Sequence, residues 1–243
     1  MKVAEKSNIN WLEDRTILLA PTGSYAYGTN IDTSDRDYKG VCIPPVDYYL
    51  GLQSFNEYNT TGGKNFKNTK DDIDMIIMHI NKFVKDARQG VPNNIELLFV
   101  RPQDYLKVTE LGQVLIDHRH LFLSKHIQKK FSGYANSQIQ KLKKSADNSS
   151  NDYDTKLFMH SIRLLTSAIE ILETGDFSTF RPNRKLLLDC RNGKYTLAEA
   201  MEMVEWYNDQ LKKAGETSSL PPTSDYEKVN QLLISINKEG LLL

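Results

Sequence analysis

The sequence predicts an α/β (α+β) N-terminal half built on a small sheet, followed by an α-helical C-terminal half. Short apolar runs bounded by turn residues, which are typical of buried strands, recur in the region before residue 80. From about Leu111 onward, apolar residues recur instead with the period of a helix. We therefore predict two domains, residues 1–119 and residues 120–243.

In the N-terminal half, three segments are predicted as strands because their aliphatic residues are flanked by turn residues: 17–22, 35–43 and 71–78. The polar segment 56–71 shows no period and contains a double glycine, so we predict a mobile loop there. Residues 79–89 follow a helical period, and Gly90 is placed to end that helix.

The C-terminal half is predicted to consist of helices joined by short polar connections. Residues 121–144 carry a helical apolar pattern that Gly133 interrupts. The clearest helix covers residues 156–174 and ends at Gly175. Two further helices are predicted to begin at capping boxes: 196–199 and 224–227.

A glycine turn and a pair of aspartates after the first strand indicate phosphate chemistry. Gly23 permits close approach of the backbone and Ser24 adds a hydroxyl, so the turn suits a phosphate group. Asp35 and Asp37 lie two residues apart, and side chains at this spacing share one face of a strand. Because neighbouring carboxylates repel, a divalent cation would stabilise the pair, and Mg²⁺ prefers oxygen ligands. These features together are typical of phosphoryl or nucleotidyl transfer.

The fuller string around these residues resembles a known family. Gly-Ser, followed after about ten residues by Ser-Asp-x-Asp, resembles the DNA polymerase β-like nucleotidyltransferases. The longer pattern Gly-Ser-x-Ala-Tyr-Gly-Thr, then Ser-Asp-x-Asp-Tyr-x-Gly-Val, is similar to the predicted nucleotidyltransferase branch called RlaP, which is associated with RNA repair. The alternative interpretation is a hairpin with solvated aspartates.

The resemblance implies a fold, a reaction and roles for these residues. The N-terminal domain would be a nucleotidyltransferase core with a small mixed sheet, and the helical domain would cover one side of its cleft. The implied reaction transfers a nucleoside monophosphate from an NTP, such as ATP, to an acceptor hydroxyl and releases pyrophosphate. Gly23 and Ser24 would hold the triphosphate, and Asp35 and Asp37 would hold two Mg²⁺ ions, or Mn²⁺ in their place.

A third carboxylate is expected on the third strand. Asp72 and Asp74 are both candidates, because the period of two puts them on one face. The resemblance aligns Asp74, which would bind metal and act as base for the attacking hydroxyl. Glu96 lies among apolar residues and needs a partner, either an active-site group that it orients or a nearby cation.

The helix at 156–174 carries a polar row opposite its apolar face. Lys156, His160, Arg163 and Ser167 lie at the spacing of one helix face. The row is either a solvated surface or a cleft-facing group in which Lys156, His160 and Arg163 bind the phosphates of the nucleotide. A similar pattern occurs in the resembling family.

The charge of the chain and its distribution limit which partners the sequence predicts. The chain has 31 basic and 31 acidic residues, so no overall field attracts nucleic acid. Basic residues nevertheless cluster at 125–144 and 181–194, where they would either bind an RNA end or form solvated helix faces. A small-molecule acceptor, a protein acceptor and a catalytically silent nucleotide- or RNA-binding module remain alternatives.

With no membrane-length apolar stretch, no signal-peptide core and two distant cysteines, we expect a cytoplasmic protein and no membrane partner.

Overall fold

A computed structural model describes residues 9–60, 73–146 and 153–242. The strands are β1 (Thr16–Thr22), β2 (Arg36–Cys42), β3 (Glu57–Asn59), β4 (Ile73–His79) and β5 (Lys107–Val108). The helices are α1 (Leu12–Arg15), α2 (Gly23–Tyr27), α3 (Asp47–Leu50), α4 (Ile80–Arg88), α5 (Pro92–Leu98), α6 (Glu110–Asp117), α7 (His126–Ala146), α8 (Thr155–Thr174), α9 (Arg184–Arg191), α10 (Leu197–Thr217) and α11 (Tyr226–Gly240).

The five strands form one mixed sheet in the order β3-β4-β2-β1-β5. β2 and β4 are parallel, whereas the other three pairings are antiparallel. β4 lies inside the sheet, which explains its nearly continuous run of Ile and Met. A small mixed sheet in the N-terminal half, with mainly helices after it, confirms the predicted fold class.

The prediction of a loop over residues 56–71 is partly wrong. Glu57–Asn59 forms β3, which pairs with β4 from Glu57 opposite Met78 to Asn59 opposite Ile76. Residues 61–72, which hold the rest of that predicted loop and also Asp72, lie outside the described residues. The predicted helix at 79–89 is confirmed as α4, and Gly90 follows it with a φ of +72°.

Gly133 does not interrupt the helix in which it lies. α7 runs through it, and no neighbouring atom in the described part of the protein approaches within 4 Å of the position that a Cβ would occupy. The predicted break is therefore wrong, because packing of α7 against α8 holds one continuous helix despite a residue of low helix propensity.

The helix termini follow their predicted caps with one exception. α8 ends at Gly175, whose φ is +69°, and α10 begins with a capping box between Thr196 and Glu199. α11 is capped by Asp225 instead of the predicted Ser224. The Ser224 hydroxyl donates to the Arg88 carbonyl, so it is used to fasten α11 to α4.

The buried core is continuous between the sheet and the helices. One cluster of buried apolar side chains includes residues of β1, such as Leu18, and residues of α11, such as Ile236. α11 is also tied to the first half by polar contacts, including a 3.0 Å bond from Arg15 Nη1 to the Gly240 carbonyl. The predicted division at 119/120 therefore separates the sheet in sequence from the four longest helices of the described residues, while the core continues across it.

Among the helices of the described ranges, none is both long and apolar enough to cross a membrane. Cys42 and Cys190 are free and buried, as expected for small apolar side chains.

Candidate active site

The glycine turn lies directly against the aspartate pair. β1 ends at Thr22, whose partner on β2 is Asp37, and α2 begins immediately afterwards at Gly23. Gly23 has a φ of +62°, and a Cβ there would lie 2.6 Å from Asp37 Oδ2. Glycine is therefore required both by the backbone conformation and by the space that the carboxylate occupies.

Asp37 and Asp74 are neighbours on the two parallel strands. They are register partners between β2 and β4, so their side chains project from the same face with the strands about 4.8 Å apart. Burial, followed by the charges of Asp74 and Asp35, raises the pKa of Asp37 above its ordinary value. The structure thus brings Asp74 beside Asp37, as the resemblance implied.

A cavity of about 540 Å³ opens at these carboxylates, a volume typical of small-molecule sites. It is bounded by the sheet and by α5, α7 and α8. The predicted site residues that line it are Gly23, Asp37, Asp74, His160 and Arg163.

Three of the predicted site residues do not line this cavity. Ser24 is half-buried and follows Gly23 in α2. Asp35 precedes β2, and its charge raises the pKa of Asp37. Lys156 is exposed at the start of α8, and its charge acts on the pKa of Asp37 in the opposite direction. The Lys156 cation therefore lies close enough to Asp37 to act on its charge.

Arg163 is buried in an ion pair with Glu96. Tyr27 donates a 2.8 Å hydrogen bond to the same carboxylate, and the guanidinium lies 4.0 Å from the centre of the Tyr27 ring. Burial alone would lower the pKa of Arg163, but Glu96 and Tyr27 raise it above its ordinary value. The interpretation of this helix row as a solvated face is wrong for Arg163 and for Ser167, which are 4% and 0% exposed. Glu96 has the cation partner that its position required.

His160 is held neutral. Burial and the neighbouring charges of Arg163, Lys156 and Arg191 lower its pKa from 6.5 to about 3. A neutral imidazole offers one donor and one acceptor, so His160 can hydrogen-bond to a ligand without adding charge to the cavity.

Lys39 is a cavity residue that the sequence analysis missed. It lies two residues after Asp37 on β2, and its Nζ donates a 2.6 Å hydrogen bond to Asn94 Oδ1. Burial lowers the pKa of Lys39 to about 8. The spacing that placed Asp35 and Asp37 on one face also places Lys39 there, and that signal was available in the sequence. The sequence analysis also missed Tyr134 and Gln138 of α7, which line the cavity, because the apolar period of that helix predicts only a packing role for Tyr134.

In the second basic stretch, residues 181–194, fewer cations are available to a ligand than the sequence predicts. Arg181 is 1% exposed and forms a 2.6 Å ion pair with Glu170, so it does not belong to a surface that could bind RNA. Lys194 pairs with Asp189 at 2.9 Å, whereas Arg184 and Lys185 are exposed. In the first stretch, Lys129 and Lys141 are exposed.

The carboxylates of the described residues do not form a complete, preformed metal-binding site. Within the described residues, no three His, Cys, Asp or Glu side chains converge as metal ligands. Mg²⁺ does not need such a cage, because it usually binds one or two carboxylates and completes its shell with water and substrate phosphates. The Asp37–Asp74 pair, with Asp35 nearby, meets that requirement.

Comparison with known proteins identifies the family of this chain. A family model described as "RlaP: RNA repair pathway DNA polymerase beta family" matches residues 2–235, which confirms the resemblance. The chain is also 29% identical over 130 residues to the "Uncharacterized 38.9 kDa protein in nrdC-mobD intergenic region" of Enterobacteria phage T4. That similarity covers 52% of this chain and 38% of the phage protein.

Replacing Gly23 by alanine should distort the site and destabilise the protein. A left-handed conformation costs a non-glycine residue about 1–2 kcal/mol, and the new methyl group would also displace the Asp37 carboxylate. The matched control is Gly133→Ala in the open middle of α7, which should raise the free energy of unfolding by about 0.5–1 kcal/mol. Urea unfolding measures both, and equal effects of the two variants would contradict this account.

The lowered pKa of His160 predicts a specific acid sensitivity. Between pH 6.5 and about 3 the unfolded state binds a proton at residue 160 that the folded state does not bind. The free energy of unfolding therefore decreases as the pH falls through this window. Relative to His160→Gln, the wild type should lose up to about 1.4 kcal/mol per pH unit in this window. The imidazole resonances that disappear in the variant should show no titration midpoint between pH 5 and 8. A midpoint near 6.5 would refute the neutral assignment.

Proposed function

Because the chain belongs to the RNA repair pathway DNA polymerase beta family, we propose that it is a Mg²⁺-dependent nucleotidyltransferase. It transfers a nucleoside monophosphate from an NTP, such as ATP, to the hydroxyl of an RNA end. The observation that carries this proposal is the pairing of Asp37 with Asp74 on parallel strands, directly against Gly23 and within the 540 Å³ cavity.

The carboxylates fit a divalent cation. Burial, and then repulsion from Asp74 and Asp35, raise the pKa of Asp37, and a cation would relieve that repulsion. We propose that Asp35, Asp37 and Asp74 hold two Mg²⁺ ions, or Mn²⁺ in their place, with waters and substrate phosphates as the remaining ligands. When bound, the ions would polarise the phosphoryl oxygens and neutralise charge on the leaving group.

Residues around the carboxylates would bind and orient the nucleotide. Gly23 allows the backbone to approach the triphosphate closely, and the Ser24 hydroxyl follows it in the same turn. Lys156 supplies a cation near Asp37, and neutral His160 supplies a hydrogen bond within the cavity. Arg163 is committed to Glu96 and Tyr27, so its main role is to hold α2 in place.

In the proposed reaction, the oxygen of the acceptor hydroxyl forms a bond to the α-phosphorus. The bond from that phosphorus to the bridging oxygen of the β-phosphate breaks, and pyrophosphate leaves with the electron pair. The hydroxyl proton passes to the Asp74 carboxylate, which borders the cavity beside Asp37.

The surface of α7 supports an RNA end as acceptor. Tyr134 and Gln138 line the cavity, and Lys130 and Lys141 lie on the same face at helical spacing from them. Tyr134 is 47% exposed, so its ring is available for stacking on a base. Aromatic rings interleaved with cations are typical of surfaces that bind single-stranded nucleic acid.

Neutralising the aspartates should abolish transfer without unfolding the protein. Wild type and the Asp35→Asn and Asp37→Asn variants are incubated with each α-labelled NTP, Mg²⁺ and separate RNA, protein and small-molecule fractions. We expect label in RNA with wild type only. Because each substitution removes repulsion, the melting temperature without Mg²⁺ should hold or rise.

The same incubation separates the acceptors. Label in protein or in small molecules would replace the RNA assignment and keep the chemistry. Label transfer that persists in both variants would exclude the carboxylates as metal ligands. If wild type binds nucleotide but transfers nothing to any fraction, the catalytically silent alternative is correct.

The face of α7 that carries Lys130, Tyr134, Gln138 and Lys141 should make the affinity for RNA depend on the salt concentration and on the Tyr134 ring. Each neutralised phosphate of a single strand adds about 0.7 to the slope of log affinity against log salt, so Lys141→Glu should reduce that slope by at least about 0.7. Tyr134→Ala should weaken binding by about 1–3 kcal/mol. The controls are Lys238→Glu and Tyr226→Ala on α11, which are exposed but do not line the cavity. If the α7 variants and their controls behave alike in binding titrations, this surface does not bind the acceptor.

A further inference from the structure

Lys39 is a cation inside the cavity for which the described residues provide no ion-pair partner. It projects from the same face of β2 as Asp37, two residues further along the strand. Its Nζ contacts Asn94 Oδ1, which is an uncharged oxygen. A half-buried ammonium without a counter-ion is costly, so its presence calls for an anion that the protein itself does not supply.

The carboxylates whose charges act on Lys39 are committed elsewhere. Glu96 is paired with Arg163 and accepts a hydrogen bond from Tyr27. Glu57 and Asp86 both contact Lys82, at 3.5 and 3.0 Å. These three acids act on Lys39 only through longer-range attraction.

Asn94 fixes the direction of the Lys39 side chain. It is 1% exposed, and its Nδ2 donates a 3.1 Å hydrogen bond to the Phe83 carbonyl. Because the amide nitrogen is used in this way, the amide oxygen is turned toward Lys39. An ammonium has three N–H donors, so the bond to Asn94 leaves donors for a ligand in the cavity.

We propose that Lys39, oriented by Asn94, forms an anion subsite that binds a phosphate group of the substrate. The inference deepens the proposed function and rests on it for the identity of the substrate. The phosphate belongs either to the nucleotide or to the last linkage of the RNA acceptor, since both would reach the carboxylates beside this subsite.

A binding role and a structural role predict opposite results for one substitution. Lys39→Met keeps most of the side-chain volume and removes the charge. If Lys39 binds the substrate phosphate, anion binding is lost whatever the melting temperature does, because removing the charge relieves a desolvation cost but leaves Asn94 Oδ1 without its donor. If Lys39 only supports the fold, the melting temperature should fall and the affinity of the folded protein should not change.

The experiment compares three probes in binding titrations with Mg²⁺: inorganic pyrophosphate, an ATP analogue with a non-hydrolysable α,β-linkage, and an RNA oligonucleotide with a free 3′ hydroxyl. Lys39→Gln is a second variant in case the methionine does not fold. The matched control is Lys107→Met on β5, because Lys107 is also half-buried and bonded to a neutral oxygen, the Glu13 carbonyl at 2.6 Å, but does not line the cavity.

We expect the affinity for at least one probe to fall by about tenfold or more in both Lys39 variants and to stay unchanged in the control. Loss confined to pyrophosphate and the ATP analogue assigns the phosphate to the nucleotide, and loss confined to RNA assigns it to the acceptor. Unchanged affinity for all three probes, in a protein whose wild type transfers label, overturns the subsite and leaves the proposed function standing. Pyrophosphate binding that depends on Lys39, without label transfer, supports the subsite and overturns the function.

Discussion

The buried ion pair between Arg163 and Glu96 is the interaction on which the arrangement of the cavity depends. Both side chains are 5% exposed, so each charge is stabilised mainly by the other and by its hydrogen bonds. Tyr27 adds a hydrogen bond to Glu96 and a ring face to Arg163. Because the three residues come from α2, α5 and α8, they tie the turn that begins at Gly23 to the helical half. Loss of one charged partner would leave the other buried and unpaired, at a cost of about 3–5 kcal/mol.

The chain between α8 and α9 closes over this cluster. The Thr179 hydroxyl donates a 2.6 Å hydrogen bond to the Glu96 carbonyl, and the Arg181 N–H donates to the Tyr27 carbonyl at 3.1 Å. The Arg181 side chain is held in turn by Glu170 of α8. Two elements of the N-terminal half are thus bonded through their backbones to a segment of the helical half. The cavity wall that carries His160 therefore cannot move away from the carboxylates without breaking buried hydrogen bonds.

The parts of the site that could be predicted are those that depend on short-range geometry. The period of a strand and the conformational freedom of glycine were enough to single out Gly23 and Asp37. The position of Asp74 depends on parallel pairing of β2 with β4, which the resemblance supplied and the residue pattern alone did not. Lys39 follows the same strand period, but nothing local shows that this part of β2 faces a cavity. The position of Tyr134 at the cavity could not be predicted, because its spacing among the apolar residues of α7 predicts a core position, whereas the side chain is 47% exposed.

Ion pairing, more than the number of basic residues, decides which cations can meet a substrate. The chain is neutral overall, and several of its cations are already paired: Lys82 with Asp86, Arg163 with Glu96, Arg181 with Glu170 and Lys194 with Asp189. Within the described residues, Lys39 and Lys156 form no such pair, and both lie near Asp37. A phosphate that enters the cavity would therefore come close to two cations near Asp37 that no carboxylate of the described residues has paired. If the chain acts on an RNA end, as proposed above, such a distribution would favour contacts at the reacting end over contacts along the strand, because a long strand gains affinity from many exposed cations.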